Sequence, residues 1–124
     1  MIKKRILVVD DESTITRLLK LNLEKTGSFV VRTENLGAST LSAAREFKPD
    51  LVLLDVMMPD LDGGDAAAQL QADPFLGQTP IVFLTAAVKR EELSAKDGMI
   101  GGFPYIAKPL NIKGVIQAIE KNLA

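Results

Sequence analysis

Polar residues close four of the apolar runs in this chain. Asp10-Asp11 follow RILVV, Asp55 ends LVLLD, Thr85 ends IVFLT and Lys108 ends YIAK. Brought to one place they offer carboxylates, a hydroxyl and an ammonium. Three carboxylates within ~5 Å of one another repel by about 3 kcal/mol per pair at an effective dielectric of about 20. A divalent cation removes that repulsion, and ligation by a few carboxylates plus water suits magnesium. A cation, a lysine and a hydroxyl around one carboxylate can stabilise charge on transferring phosphoryl oxygens. The carboxylate itself can act as nucleophile, giving an aspartyl phosphate. Composition closes other routes. With no cysteine there is no disulfide, thiol catalysis or thiolate metal site, and with no histidine the usual general base and zinc ligand are missing.

The segments that must position these groups alternate in kind. Arg5–Val9, Phe29–Thr33, Leu51–Asp55, Ile81–Thr85 and Tyr105–Lys108 are short and rich in β-branched residues. The first, third and fourth are almost wholly apolar, as central strands of a parallel sheet covered on both faces should be. FVVRT is more polar, and YIAK follows Pro104, which has no N–H to donate; both are expected at sheet edges. Between them run helical stripes: Ile15, Leu18, Leu19 and Leu23; then Leu41, Ala44 and Phe47; last Val115, Ile116, Ile119 and Leu123. Asp65–Leu70 and Lys89–Asp97 are weaker helix candidates. Gly27, Pro49, Pro74 and Gly98 supply the stops. Five βα repeats without a linker or composition shift predict one doubly wound α/β domain over residues 1–124. Such a sheet binds ligands beyond the carboxyl ends of its strands, which is where the polar residues stand.

The 124 residues are 47% apolar and 25% charged, enough for one core and a charged surface, and intrinsic disorder is excluded. A net charge of −1 creates no field that would draw nucleic acid or an anionic membrane. The opening MIKKRILVV has too short an apolar stretch for a signal peptide, so a cytoplasmic protein is expected. IVFLTAAV is far below the ~18 residues that span a bilayer.

Four blocks carry a family resemblance: ILVVDDE (6–12), PDLVLLDVMMPDLDG (49–63), TPIVFLTA (79–86) and YIAKP (105–109). Together they resemble the receiver domains of two-component response regulators, the CheY-like variant of the flavodoxin-like fold, along the whole chain. The resemblance implies a five-stranded parallel sheet of order 2-1-3-4-5 and a stand-alone phosphorelay switch, a phosphoacceptor rather than an enzyme. Asp55 would accept the phosphoryl group. Asp10, Asp11, Asp55 and the Met57 backbone carbonyl would hold Mg2+. Thr85 and Lys108 would meet the phosphoryl oxygens, the Lys108–Pro109 peptide would be cis, and Tyr105 would be an aromatic switch answering Thr85. The donor would be a phosphohistidine of a sensor histidine kinase or histidine phosphotransfer protein. Output would pass by contact to a downstream protein, with no direct nucleic-acid or membrane partner; phosphorylation-dependent dimerisation stays open. The segment GMIGGFPYIAKP departs from the family pattern: Gly102 stands where alanine is usual, and Pro104 precedes Tyr105. Met57 and Ala87 flank the expected water path to the acceptor.

Plainer readings exist for each residue. Asp10-Asp11 could cap the first helix. Asp55 could be a turn residue, Thr85 could reflect strand propensity, Lys108 could be solvated and Tyr105 could simply pack. Three rival functions make different demands on these positions. A pseudo-receiver that only binds proteins would be expected to lack one of the acidic pair, Asp55 or Lys108. A flavodoxin-like cofactor carrier needs hydroxyl and glycine donors where DDE stands. A phosphatase of the haloacid dehalogenase type needs an aspartate where Met57 stands.

Overall fold

The computed structural model describes residues 2–86, 99–100 and 102–123. In chain order the elements are β1 (Lys4–Val9), α1 (Ser13–Lys25), β2 (Phe29–Glu34), a 3-10 turn (Gly37–Ser39) leading into α2 (Thr40–Phe47), β3 (Leu51–Asp55) and α3 (Gly63–Ala72). They are followed by β4 (Ile81–Thr85), β5 (Met99–Ile100), β6 (Phe103–Ala107) and a last helix, α4 (Ile112–Asn122). The helix expected at Lys89–Asp97, its Gly98 stop and Ala87 lie outside the described residues.

The sheet runs β2-β1-β3-β4-β6-β5. Every pairing from β2 to β6 is parallel, and β5 lies antiparallel to β6. With β6 as the fifth parallel strand, this is the 2-1-3-4-5 order. Alternation along the strands splits the core in two. Leu7, Val9, Val52 and Leu54 face α2 and α3. Ile6, Val8, Leu51 and Leu53 face α1 and α4. Both faces of the central strands are therefore buried, which is why their sequences read as unbroken apolar runs.

The structure corrects several boundaries. The fifth parallel strand begins at Phe103, contains Pro104 and ends at Ala107, so Lys108 follows the strand instead of closing it. Its outer side carries β5, with Met99 opposite Pro104, so it is not a bare edge. The third helix is longer than Asp65–Leu70 because Asp62 caps it, accepting from the Gly64 N–H at 2.7 Å. Leu18 does not belong to the buried stripe of α1: it is 57% exposed, while Thr16, Leu19 and Leu23 face the sheet. One residue turns a helix by about 100°, which carries Leu18 off that face. Thr16 is tolerated there because its hydroxyl donates to the Ser13 carbonyl at 3.1 Å. Gly27 ends the loop-ward turn of α1 with φ +82°, a conformation that suits glycine.

Candidate functional site

Parallel strands deliver their last residues to a common rim. Asp10 follows β1, Asp55 ends β3, Thr85 ends β4 and Lys108 follows β6. Burial there is deep: Asp10 is 0% exposed, Thr85 2% and Asp55 3%. Asp11 is exposed, and one carboxylate oxygen from each of Asp10, Asp11 and Asp55 lies within 4.8 Å of the others. Lys108 reaches over them. Its Nζ is 2.9 Å from Asp10 Oδ2 and 3.6 Å from Asp55 Oδ1. The Lys108 N–H donates to the Thr85 carbonyl at 2.8 Å, and the Lys108–Pro109 peptide is cis. Tyr105 is partly buried and packs with the α2/α3 side of the core, opposite Phe83 in register.

Asp10 and Asp11 are not the cap of α1. The residue at that position is Glu12, and it makes no side-chain cap bond. Asp10 Oδ1 instead accepts from the Glu12 N–H at 2.9 Å, which orients the carboxylate before the helix begins. Its other oxygen, Oδ2, is buried against the Lys108 ammonium at 2.9 Å, and a carboxylate oxygen can accept more than that one contact. A buried oxygen with unused acceptor capacity, next to two more carboxylates, fits a hard cation with oxygen ligands. Magnesium is compatible with that donor set.

The electrostatics follow from this crowding. Burial, and then the Asp10 charge, push the Asp55 carboxyl up to about 7, with Lys108 and the Met57 N–H opposing. Burial works against the Lys108 charge, but Asp10, Asp55 and Glu12 together hold its affinity for the proton above the ordinary value. Met57 is 66% exposed, and its N–H approaches Asp55 Oδ1 at 3.4 Å.

Three residues outside the strand-end set also shape the rim. Glu12 Oε1 is 3.4 Å from Lys108 Nζ, a further carboxylate on the same ammonium. Asn35, just past β2, donates to the Asp10 carbonyl at 2.8 Å and to Thr16 Oγ1 at 3.0 Å. Its place one residue beyond a strand was the available signal. Gly63 lets α3 start against the end of β3: a Cβ there would overlap the Asp55 carbonyl oxygen and lie 2.8 Å from Val56 Cα.

Comparison with known proteins adds an independent line. A family model described as "Response regulator receiver domain" matches residues 6–120. The polar-differentiation response regulator DivK of Brucella anthropi is 32% identical over 121 residues, covering 97% of this chain and 96% of that protein. The alkaline phosphatase synthesis transcriptional regulatory protein PhoP of Bacillus subtilis is 42% identical over 113 residues, 90% of this chain. The match spans only 45% of PhoP's length. The chemotaxis protein CheY4 of Vibrio cholerae superimposes with a TM-score of 0.85, covering 98% of this chain and 100% of that one, at 24% identity. That likeness bears on the fold alone.

Proposed function

The chain belongs to the response regulator receiver domain family, and on that premise we propose that it is a phosphorylation-dependent switch whose acceptor is Asp55. Receiver domains are signalling domains of two-component systems, generally not enzymes, and they interact with histidine kinases and downstream targets. The observation that best supports the reading is the convergence of three carboxylates within 4.8 Å under the Lys108 ammonium. Buried like charges beside a specific charge partner at the end of a sheet are the arrangement expected of a functional site.

The proposed donor is a phosphohistidine on a sensor histidine kinase or histidine phosphotransfer protein. A carboxylate oxygen of Asp55 attacks phosphorus, the P–N bond breaks as the P–O bond forms, and the departing imidazole takes up a proton. Only ionised Asp55 can attack, and Lys108 at 3.6 Å favours that form. Asp10, Asp11, Asp55 and the Met57 carbonyl would hold Mg2+, which when bound supplies positive charge against the carboxylates and the transferring oxygens. Thr85 would donate its hydroxyl to one phosphoryl oxygen and Lys108 would pair with another. Tyr105 would then answer a shift of Thr85, and a downstream protein would read the altered surface. Residues 1–124 would act as one receiver unit in the cytoplasm, with only self-catalysed transfer and slow autodephosphorylation. No described helix is long and apolar enough to cross a membrane.

Incubation with a small-molecule phosphodonor and magnesium tests the assignment. Wild type should acquire acid-stable, hydroxylamine-labile label, and Asp55→Asn should acquire none. Undiminished label in the variant would place the acceptor elsewhere.

A further inference from the structure

Asp60 lies in the loop between β3 and α3, the same loop that leaves Asp55 and carries Met57. Its carboxylate reaches across to the turn after β2, accepting from the Gly37 N–H at 3.0 Å and from the Ala38 N–H at 2.9 Å. The two segments also touch directly. A Cβ on Gly37 would stand 2.6 Å from the Leu61 carbonyl oxygen and 3.1 Å from Met58 Cε. At its far end the loop is closed by the Gly63 N–H, which donates to the Val56 carbonyl at 2.8 Å. Met57 contributes little to its own placement, because its side chain is 66% exposed. Beyond the long contact of its N–H to Asp55 Oδ1 at 3.4 Å, its backbone takes its position from its neighbours: buried Met58, the closed end at Gly63, and the Asp60 clamp.

We propose that Asp60 is a positioning residue for the acidic site: by tying the β3–α3 loop to the start of α2, it sets where the Met57 carbonyl stands relative to Asp10, Asp11 and Asp55. The inference rests on the phosphoacceptor reading, since it gives that carbonyl a cation to meet. Outer partners that orient a ligand commonly change metal affinity by an order of magnitude when removed. The clamp itself is independent of any metal, because its bonds are made by the protein alone.

Three variants separate this role from ordinary stabilisation. Asp60→Ala removes both acceptors, and Asp60→Asn removes the charge but keeps an oxygen. Asp73→Ala is the control, because Asp73 Oδ1 makes a similar pair of bonds at the opposite end of the sheet, to the Phe75 N–H at 2.8 Å and the Leu76 N–H at 3.2 Å. Amide exchange of the metal-free proteins and calorimetric titration with magnesium chloride are the two readouts. Asp60→Ala should speed exchange at Gly37, Ala38 and Met57–Leu61 and weaken magnesium binding by roughly tenfold. Asp60→Asn should fall between it and wild type in both. Asp73→Ala should melt lower yet keep wild-type magnesium affinity and wild-type exchange in the loop. Unchanged exchange and affinity in Asp60→Ala would overturn the proposal, as would equal weakening in both Asp60 variants without faster exchange, which would be a charge effect. If wild type itself bound no magnesium, the phosphoacceptor reading and this inference would fall together, and the exchange data would still show whether the clamp exists.

Discussion

Asp55 sits where its charge is least welcome. It is 3% exposed, faces Asp10 and Asp11, and among the described residues is compensated chiefly by a lysine already drawn 2.9 Å from Asp10. In the unfolded chain these carboxylates separate, so the metal-free fold carries a repulsion that unfolding relieves. Asp55→Asn removes one charge while Lys108 keeps Asp10 as partner. The metal-free variant should therefore be more stable than wild type by about 1 kcal/mol or more. For a domain of this length that raises Tm by roughly 3–8 °C. Magnesium should raise wild-type Tm by mass action and raise the variant less; a variant that melts below wild type in EDTA, with neither protein responding to magnesium, would mean that the carboxylates share no site. The pH dependence has a defined sign. The folded Asp55 carboxyl is raised to about 7 from 3.8, so between those values the folded state holds a proton that the unfolded chain has lost. Its contribution to stability is therefore greatest at the acid end of that window and falls as pH rises towards 7. The Tm gap between Asp55→Asn and wild type in EDTA should widen from about pH 5 to about pH 8. A gap that stays constant would contradict the burial and charge coupling at Asp55.

The loop after β3 and the helix it enters work as one piece. Gly63 opens α3 directly against the Asp55 backbone, so Gly63→Ala must displace either the helix start or Asp55. The expected cost is about 1–3 kcal/mol, from forced backbone movement, with slower phosphoryl uptake; melting and labelling rates check it, and an alanine variant equal to wild type in both would show that the loop yields freely. On β2 the open side is closed by α1: the Val31 N–H donates to Glu24 Oε2 at 2.9 Å, and Lys20 Nζ donates to the Val31 carbonyl at 2.7 Å. Side chains thus replace a neighbouring strand at that position. Such features mark the limit of what could be read beforehand. β1, β3 and β4 were legible because burial on both faces forces continuous apolar residues. Leu18 misled because an exposed leucine beside a buried one extends a stripe on paper. Pro104 suggested that the last strand began after it, whereas the strand begins at Phe103 and Pro104 sits inside it.

At the scale of the molecule, strand order does most of the positioning. The parallel 2-1-3-4-5 arrangement sets Asp10, Asp55, Thr85 and Lys108 on one rim although they lie far apart in sequence. Their residue types and their places at strand ends made them legible. Asn35 and Asp60 were not, because Asp and Asn in loops look like ordinary turn residues, and Glu12 was not, because an exposed glutamate at a helix start looks like a solvated charge. Their partners, Asp10 for Asn35 and Gly37 for Asp60, are known only once the chain is folded. The central claim is that this rim takes a phosphoryl group on Asp55 when magnesium is present. Intact-mass measurement of the wild-type chain after acetyl phosphate treatment, with magnesium and with EDTA, tests it most directly. The account predicts a gain of a single phosphoryl group with magnesium, little or none in EDTA, and none in Asp55→Asn under either condition. No gain in wild type with magnesium, or an equal gain in Asp55→Asn, would contradict it.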